Sequence, residues 1–215
     1  MKLVVISPES DEPREHAVLA RLFAAGLERY HVRKQHWPRD KLIAWLDAVP
    51  EEWRSRLVLH QHHDLAAELG CGGVHFKDSE GRARPLFEPQ FTDGPADIPP
   101  LFTSRSCHDL ATLQSSLGCY DAVFFSPIFP SISKPGYQPA VEVEVVAERL
   151  ARRNDDERAA EVIALGGITP ENAARCSELG FDGVAVLGAV WLAAEPLEAF
   201  DALQQSIFNH ATRAK

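Results

Sequence analysis

Short apolar runs alternate with amphipathic helical stretches along nearly the whole chain, and the alternation recurs about eight times. A strand that repeatedly gives way to a helix before the next strand builds a parallel sheet with crossover helices. The first unit is a strand over 3–6 and a helix over 14–27, where Val18, Leu19, Leu22 and Phe23 keep the helical period. A strand over 30–32 precedes a helix over 40–48, and a strand over 56–59 precedes a helix over 64–69. After a fourth strand, 73–76, the stretch 77–100 is polar, rich in Pro and Gly and without helical period, so one crossover is shortened or irregular. Alternation resumes with strands over 101–104, 122–125, 162–165 and 183–187. Helices over 108–117, 141–152, 170–179 and 197–211 follow them, and a charged turn spans 153–158.

Eight such units admit an open doubly wound sheet or a closed barrel. With 215 residues, no second domain and no Gly-x-Gly-x-x-Gly after the first strand, the expectation is a single (β/α)8 TIM barrel over 1–215. A hydrophobic content of 45% is enough for its core. The net charge of -9 argues against a nucleic-acid partner, which needs a basic surface. No apolar run reaches membrane-span length and the opening residues turn polar early, so a cytoplasmic protein without a membrane partner is expected. Four cysteines without Cys-x-x-Cys spacing are expected as reduced, mostly buried thiols.

In a barrel of this kind the residues just past each strand form the active site. They include Arg33 and Lys34 after the second strand, His60 to His63 after the third, and His75 with 77–80 at the fourth. The fifth strand offers Ser104, Arg105, Ser106 and His108. After the sixth, Ser131 and Ser133 flank Lys134 in a loop stiffened by Pro127, Pro130 and Pro135, which suits an anion. Gly166 and Gly167 after the seventh strand and Gly188 after the eighth stand where barrels of this type hold phosphate on backbone N–H groups. The plainer reading of those glycines is a pair of tight strand-to-helix turns. His60, His62 and His63 are read as hydrogen-bonding histidines rather than a metal cluster, because adjacent residues at a strand end point in different directions. His75 and His108 are the better pocket candidates, and no paired base marks Cys107 as a nucleophile.

Several ordered motifs carry a resemblance. His31-Val-Arg-Lys34, Gly73-Val-His75, Ser106-Cys-His108, the run from Ser126 to Lys134, Ala164-Leu-Gly-Gly-Ile-Thr169 and Gly183-Val-Ala-Val-Leu-Gly188 together resemble the thiamin-phosphate synthase and TenI family. The synthases of that family join a pyrimidine methyl diphosphate to a thiazole phosphate with Mg2+ and release diphosphate. The resemblance implies that Arg33 and Lys134 hold diphosphate, Ser131 and Ser133 line the sixth loop, Gly167 and Gly188 hold the thiazole phosphate, and Ser106 is the pocket serine of the fifth strand. Where the family has Asn-Asp and Asp, this chain has His60, Gln61 and Glu80, so Glu80 alone remains as a carboxylate for Mg2+. Gln35 takes the place of the family's second-strand lysine, and Pro127 that of the acid-base histidine of the TenI thiazole tautomerase. Two readings stay open: an enzyme, for which Lys134, Arg33, Ser106 and His108 are the catalytic candidates, or a non-catalytic binder of thiamin phosphate. Small phosphorylated thiazole or pyrimidine compounds are the expected partners in either.

Overall fold

A computed structural model of the chain describes residues 1–80, 101–130, 136 and 138–213, with the side chains of 80 and 210–213 outside that description. Eight strands, β1 (Lys2–Ile6), β2 (Arg29–Val32), β3 (Leu57–Leu59), β4 (Gly73–Phe76), β5 (Phe102–Cys107), β6 (Ala122–Phe125), β7 (Glu161–Leu165) and β8 (Gly183–Val186), pair in sequence order. Every pair is parallel, and β8 returns to β1 with Leu3 beside Val184, so the sheet is a closed barrel as the alternation predicts.

Each strand buries both faces, which is why the strands read as apolar runs rather than as a clean alternation. Outward-facing residues such as Val5, Tyr30, Leu57, Val74, Val123, Val162 and Val184 join the helices in the larger core. Inward-facing Val4, Ile6, Ala122, Phe124, Ile163 and Ala185 form a smaller one. The lower end of the interior is closed by charge: Glu161 pairs with Lys2 and, at 3.0 Å, with Arg29, whose guanidinium lies 3.9 Å from the Phe102 ring centroid.

The long helices fall where the periodicity places them: α1 (Glu15–Ala24), α2 (Arg39–Asp47), α4 (Asp64–Glu68), α5 (Leu110–Ser116), α6 (Val143–Ala151), α8 (Pro170–Glu178) and α10 (Pro196–Arg213). Three short helices were not expected: α3 (Glu51–Arg54), α7 (Asp155–Arg158) and α9 (Gly188–Trp191). α7 lies in the charged stretch read as a turn; Asn154 accepts from the Glu157 amide at 2.9 Å and Glu157 reaches back to the Asn154 amide. That reciprocal cap is enough to start a single turn. The crossover after β4 begins with a 3-10 turn over Asp78–Glu80, and 81–100 lie outside the described residues. β5 runs three residues further than expected, so Arg105 and Ser106 belong to the strand rather than to the loop beyond it. The pleat then turns Arg105 outward, against Asp78 and 5.9 Å from the Tyr120 ring, and Ser106 inward.

Candidate functional site

At the carboxyl ends of β2 to β5 the barrel interior changes character. His31 on β2, His60 just past β3 and His75 on β4 bring their rings together over Phe124, and one ring nitrogen from each lies within 4.8 Å of the others. His60 and His75 stack with centroids 4.1 Å apart, and His31 meets both edge-on. His31 Nδ1 is 3.1 Å from His60 Nε2. His75 lies between two hydroxyls, with Nδ1 2.9 Å from Ser104 Oγ and Nε2 2.8 Å from Ser106 Oγ. Burial holds all three imidazoles neutral: it pushes His31 and His60 well below the usual histidine pKa and His75 down to about 3, with the neighbouring positive groups adding to it. His31 Nε2 is buried without a hydrogen-bond partner. An orphaned buried polar atom costs about 1–3 kcal/mol, so this one calls for a partner.

Next to the rings, Arg33 is held from three directions. Its backbone N–H donates to Ser7 Oγ at 2.7 Å, and Ser7 donates its own N–H to the His31 carbonyl at 2.8 Å. Its guanidinium pairs with Glu9, and the Gln35 amide oxygen, in the orientation that satisfies both groups, accepts from Nη2 at 2.9 Å and Nε at 3.1 Å. Gln35 thus steers the arginine from the position where the resemblance leads one to expect a second cation. Lys34 does not take over that role. It is wholly buried, with Nζ 2.6 Å from Glu15 and 2.7 Å from the Pro8 carbonyl, and Tyr30 donates its hydroxyl to the same Glu15 at 2.7 Å. Burial pushes the Glu15 carboxyl up while Lys34 and Tyr30 pull it back, so this network fastens the loop after β1.

On the opposite side, Gly166 and Gly167 follow β7 with φ of 97° and 64°, values that side chains other than glycine rarely adopt. A Cβ on Gly167 would sit 2.4 Å from the Pro130 carbonyl oxygen, and one on Gly166 2.8 Å from Pro127 Cβ. The turn is therefore packed against the loop after β6, with Ile128 and Phe129 donating N–H to the Leu165 and Gly166 carbonyls at 2.9 and 3.1 Å. Asn172 at the start of α8 completes it, donating to the Gly167 carbonyl and accepting from the Thr169 amide, both at 2.8 Å. Gly188 is buried as the first residue of α9. Gly166 and Gly167 thus make the tight turn that the plainer reading expects, packed against the loop after β6.

Of the predicted site residues, Arg33, His60, His75 and Ser106 converge, and Gly166, Gly167 and Gly188 lie across the mouth from them. Ser131, Ser133 and Lys134 lie outside the described residues, as does the Glu80 side chain. Two histidines belong elsewhere. His62, in a left-handed turn at φ 50°, places Nε2 3.3 Å from the Trp37 carbonyl, on the side of the β2–α2 loop rather than the interior. His108 is exposed and donates from Nδ1 to the Ser126 carbonyl at 2.7 Å, which ties the end of β5 to β6. Cys71, Cys107 and Cys176 are buried free thiols and Cys119 is an exposed one, in line with the expectation. Burial raises Cys107 to about 11, which rules it out as a nucleophile at neutral pH.

His31 is the residue that sequence reasoning missed, although the signal was there: it lies two before Arg33 and so shares its face of β2. A hard Mg2+ ion does not fit this wall. The described donors are imidazoles, hydroxyls and the Gln61 amide, and the nearby carboxylates Glu9 and Asp78 are each paired to an arginine.

Comparisons with known proteins cover the same length of chain. The family model described as Thiamine monophosphate synthase matches residues 3–190. A thiamine-phosphate synthase of Methylobacillus flagellatus is 34% identical over 215 residues, covering 96% of this chain and 95% of the relative. One from Nitrosococcus oceani is 31% identical over 179 residues, 80% of this chain and 75% of its own. Among solved structures, the thiamine phosphate pyrophosphorylase of Bacteroides thetaiotaomicron superposes with a TM-score of 0.73 at 25% identity, covering 99% of this chain and 98% of that one. That of Pyrococcus furiosus gives 0.75 at 18% identity, covering 97% and 96%, and supports the barrel fold.

Proposed function

Since the chain belongs to the thiamine monophosphate synthase family, we propose that it joins a pyrimidine methyl diphosphate to a thiazole phosphate at the barrel mouth, with 1–215 acting as one domain in the cytoplasm. The thiazole ring nitrogen attacks the pyrimidine methylene carbon as the bond from that carbon to the diphosphate oxygen breaks. The products are thiamin phosphate, with its quaternary ring nitrogen, and diphosphate; no proton has to move. The rate then depends on charge developing on the leaving group, and only contacts that strengthen as it develops speed the step.

The observation that carries this reading is Arg33. Its guanidinium stands at the end of β2, oriented by Glu9 and Gln35, in a chain that matches a synthase from end to end. Arg33 takes the departing diphosphate, Lys134 of the loop after β6 supplies a second cation with Ser131 and Ser133 beside it, and Ser106 orients the pyrimidine side. Gly166, Gly167 and Gly188 receive the thiazole phosphate on backbone N–H groups. The described residues do not offer Mg2+ its carboxylates, so no step is assigned to that ion.

A second reading rests on the imidazoles. Neutral His75, held between Ser104 and Ser106, could pass a proton within a bound thiazole phosphate only if ligand contacts raise it from about 3, where burial holds it. The test is a coupling assay with both phosphorylated substrates, following thiamin phosphate and diphosphate together. Stoichiometric release of both supports the synthase. A shift of a thiazole tautomer without coupling supports the second reading, and binding without turnover reduces the protein to a thiamin-phosphate binder.

A further inference from the structure

We propose that His31, His60 and His75 bind one divalent transition-metal ion, of the Zn2+ or Co2+ kind, inside the barrel. The three rings come from successive strands, all are buried, and one nitrogen of each lies within 4.8 Å of the others. Three nitrogens around a tetrahedral ion at about 2.1 Å stand about 3.4 Å apart. The His31 Nδ1–His60 Nε2 separation of 3.1 Å is already close to that, and the widest gap, 4.8 Å at most, has to close by about 1.4 Å on binding.

Hydrogen bonding identifies the basic nitrogen on His75. Ser104 Oγ donates to the Val74 carbonyl at 3.4 Å, so it accepts from His75 Nδ1–H at 2.9 Å. That leaves Nε2 with the lone pair, directed at Ser106 Oγ 2.8 Å away. An imidazole whose far N–H is fixed by a protein acceptor is how metal-bound histidines are oriented. The His31–His60 contact cannot satisfy both rings by itself. If His31 Nδ1–H donates, its Nε2 is a bare lone pair; if His60 donates, His31 Nε2–H has no acceptor, and in either case a buried atom goes unpaired. An ion between His31 Nδ1 and His60 Nε2 takes both of those lone pairs in place of the hydrogen bond.

Three neutral imidazoles favour a borderline transition ion over Mg2+, which prefers oxygen. Arg33, whose charge bears on His60 and His75, is paired with Glu9 and so opposes the ion less than a bare charge would. The Ser106 hydroxyl gives up its 2.8 Å hydrogen bond to His75 Nε2 when that nitrogen takes the ion. The inference does not depend on the synthase reading.

The test is a Co2+ titration of chelator-treated full-length protein, read by visible d–d absorption and by Tm, with Zn2+ competition. One equivalent per chain, displaced by Zn2+ and raising Tm, is expected. His31→Asn should abolish the spectrum and His62→Asn should leave it unchanged. If His31→Asn does not fold, Ser104→Ala decides, since it keeps all three rings but frees the His75 tautomer; it should weaken Co2+ binding roughly 10- to 100-fold. No stoichiometric binding, or binding that His31→Asn or Ser104→Ala leaves unaffected, overturns the proposal. Coupling activity measured in parallel reports on the synthase reading alone.

Discussion

The two sides of the barrel mouth are built on opposite principles. After β7 and β8 the chain removes side chains: Gly166 and Gly167 turn tightly against the loop after β6, Gly188 opens α9, and Asn172 fixes the β7 turn by donating to the Gly167 carbonyl. Across β2 to β5 it crowds side chains in, placing three imidazoles, two serine hydroxyls and a steered guanidinium at the strand ends. A backbone cradle suits one charged group of fixed shape, a phosphate, and tolerates little change. A wall of side chains can be altered residue by residue, and it is here that the chain departs from the synthase motifs. On the proposed function, recognition of the thiazole phosphate and handling of the leaving group would fall to different sides and be separable.

Gly167→Val should break the backbone side outright. The substitution forces a β-branched residue to a φ of 64° and drives its Cβ to 2.4 Å from the Pro130 carbonyl. A loss of ~3 kcal/mol or more in urea unfolding is expected, with thiazole-phosphate binding gone in calorimetry. A variant that folds and binds like the parent would show that the close approach of the two loops is unnecessary.

Arg33→Ala sharpens the contrast from the other side. It should lower kcat for coupling by roughly a hundredfold or more, because the charge it meets appears only as diphosphate leaves. Thiazole-phosphate affinity should stay within about twofold. Equal losses in both would mean that the two sides form a single binding unit.

How much of this was legible in the sequence divides along the same line. The glycines were legible because each is tied to a strand end, and so were most strands, because they are short apolar runs; β5, with Thr103, Ser104, Arg105 and Ser106, is not one, and its end was expected three residues too early. The histidine wall was legible only in part: His60 and His75 stood among the strand-end candidates and His31 did not, because the members are contributed one per strand at positions 31, 60 and 75. Neighbours in sequence do not form it: as expected of adjacent residues at a strand end, His60, His62 and His63 diverge, His62 turning to Trp37 and His63 placing Nε2 3.1 Å from the His75 carbonyl. Only strand register brings the true set together. Val58 pairs with Gly73, so two residues on His60 comes level with His75, and His75 in turn pairs with Ser104. Register between strands follows from closure of the barrel, which no single segment encodes.

Acid should expose the histidine wall, in protein stripped of metal. The unfolded rings take up protons below pH ~6.5, whereas folded His75 stays neutral down to about pH 3. The unfolded state therefore binds more protons in that window, and stability falls as pH falls, by up to ~1.4 kcal/mol per pH unit for each such ring. Urea titrations between pH 7 and 4 should show this slope reduced by about one proton in His75→Gln. An unchanged slope would mean that His75 is not held neutral by burial.

The smallest effect should come from Gln35, and it bears most directly on how the two sides diverged. Its amide oxygen accepts two hydrogen bonds from Arg33, at 2.9 and 3.1 Å, while Glu9 holds the guanidinium from another nitrogen. Gln35→Ala removes one of the two supports and leaves the charge in place, so the guanidinium is still present but less well aimed. Coupling should fall by roughly three- to tenfold, the cost of lost positioning rather than lost charge. Gln35→Lys instead places a cation where the synthase pattern has one, beside an arginine that now lacks its acceptor. If the amide serves as the steering group, Gln35→Lys lowers the rate at least as much as Gln35→Ala. If the chain has merely lost a diphosphate lysine, Gln35→Lys raises the rate above the parent, and the division of labour between Gln35 and Arg33 drawn from the geometry is wrong.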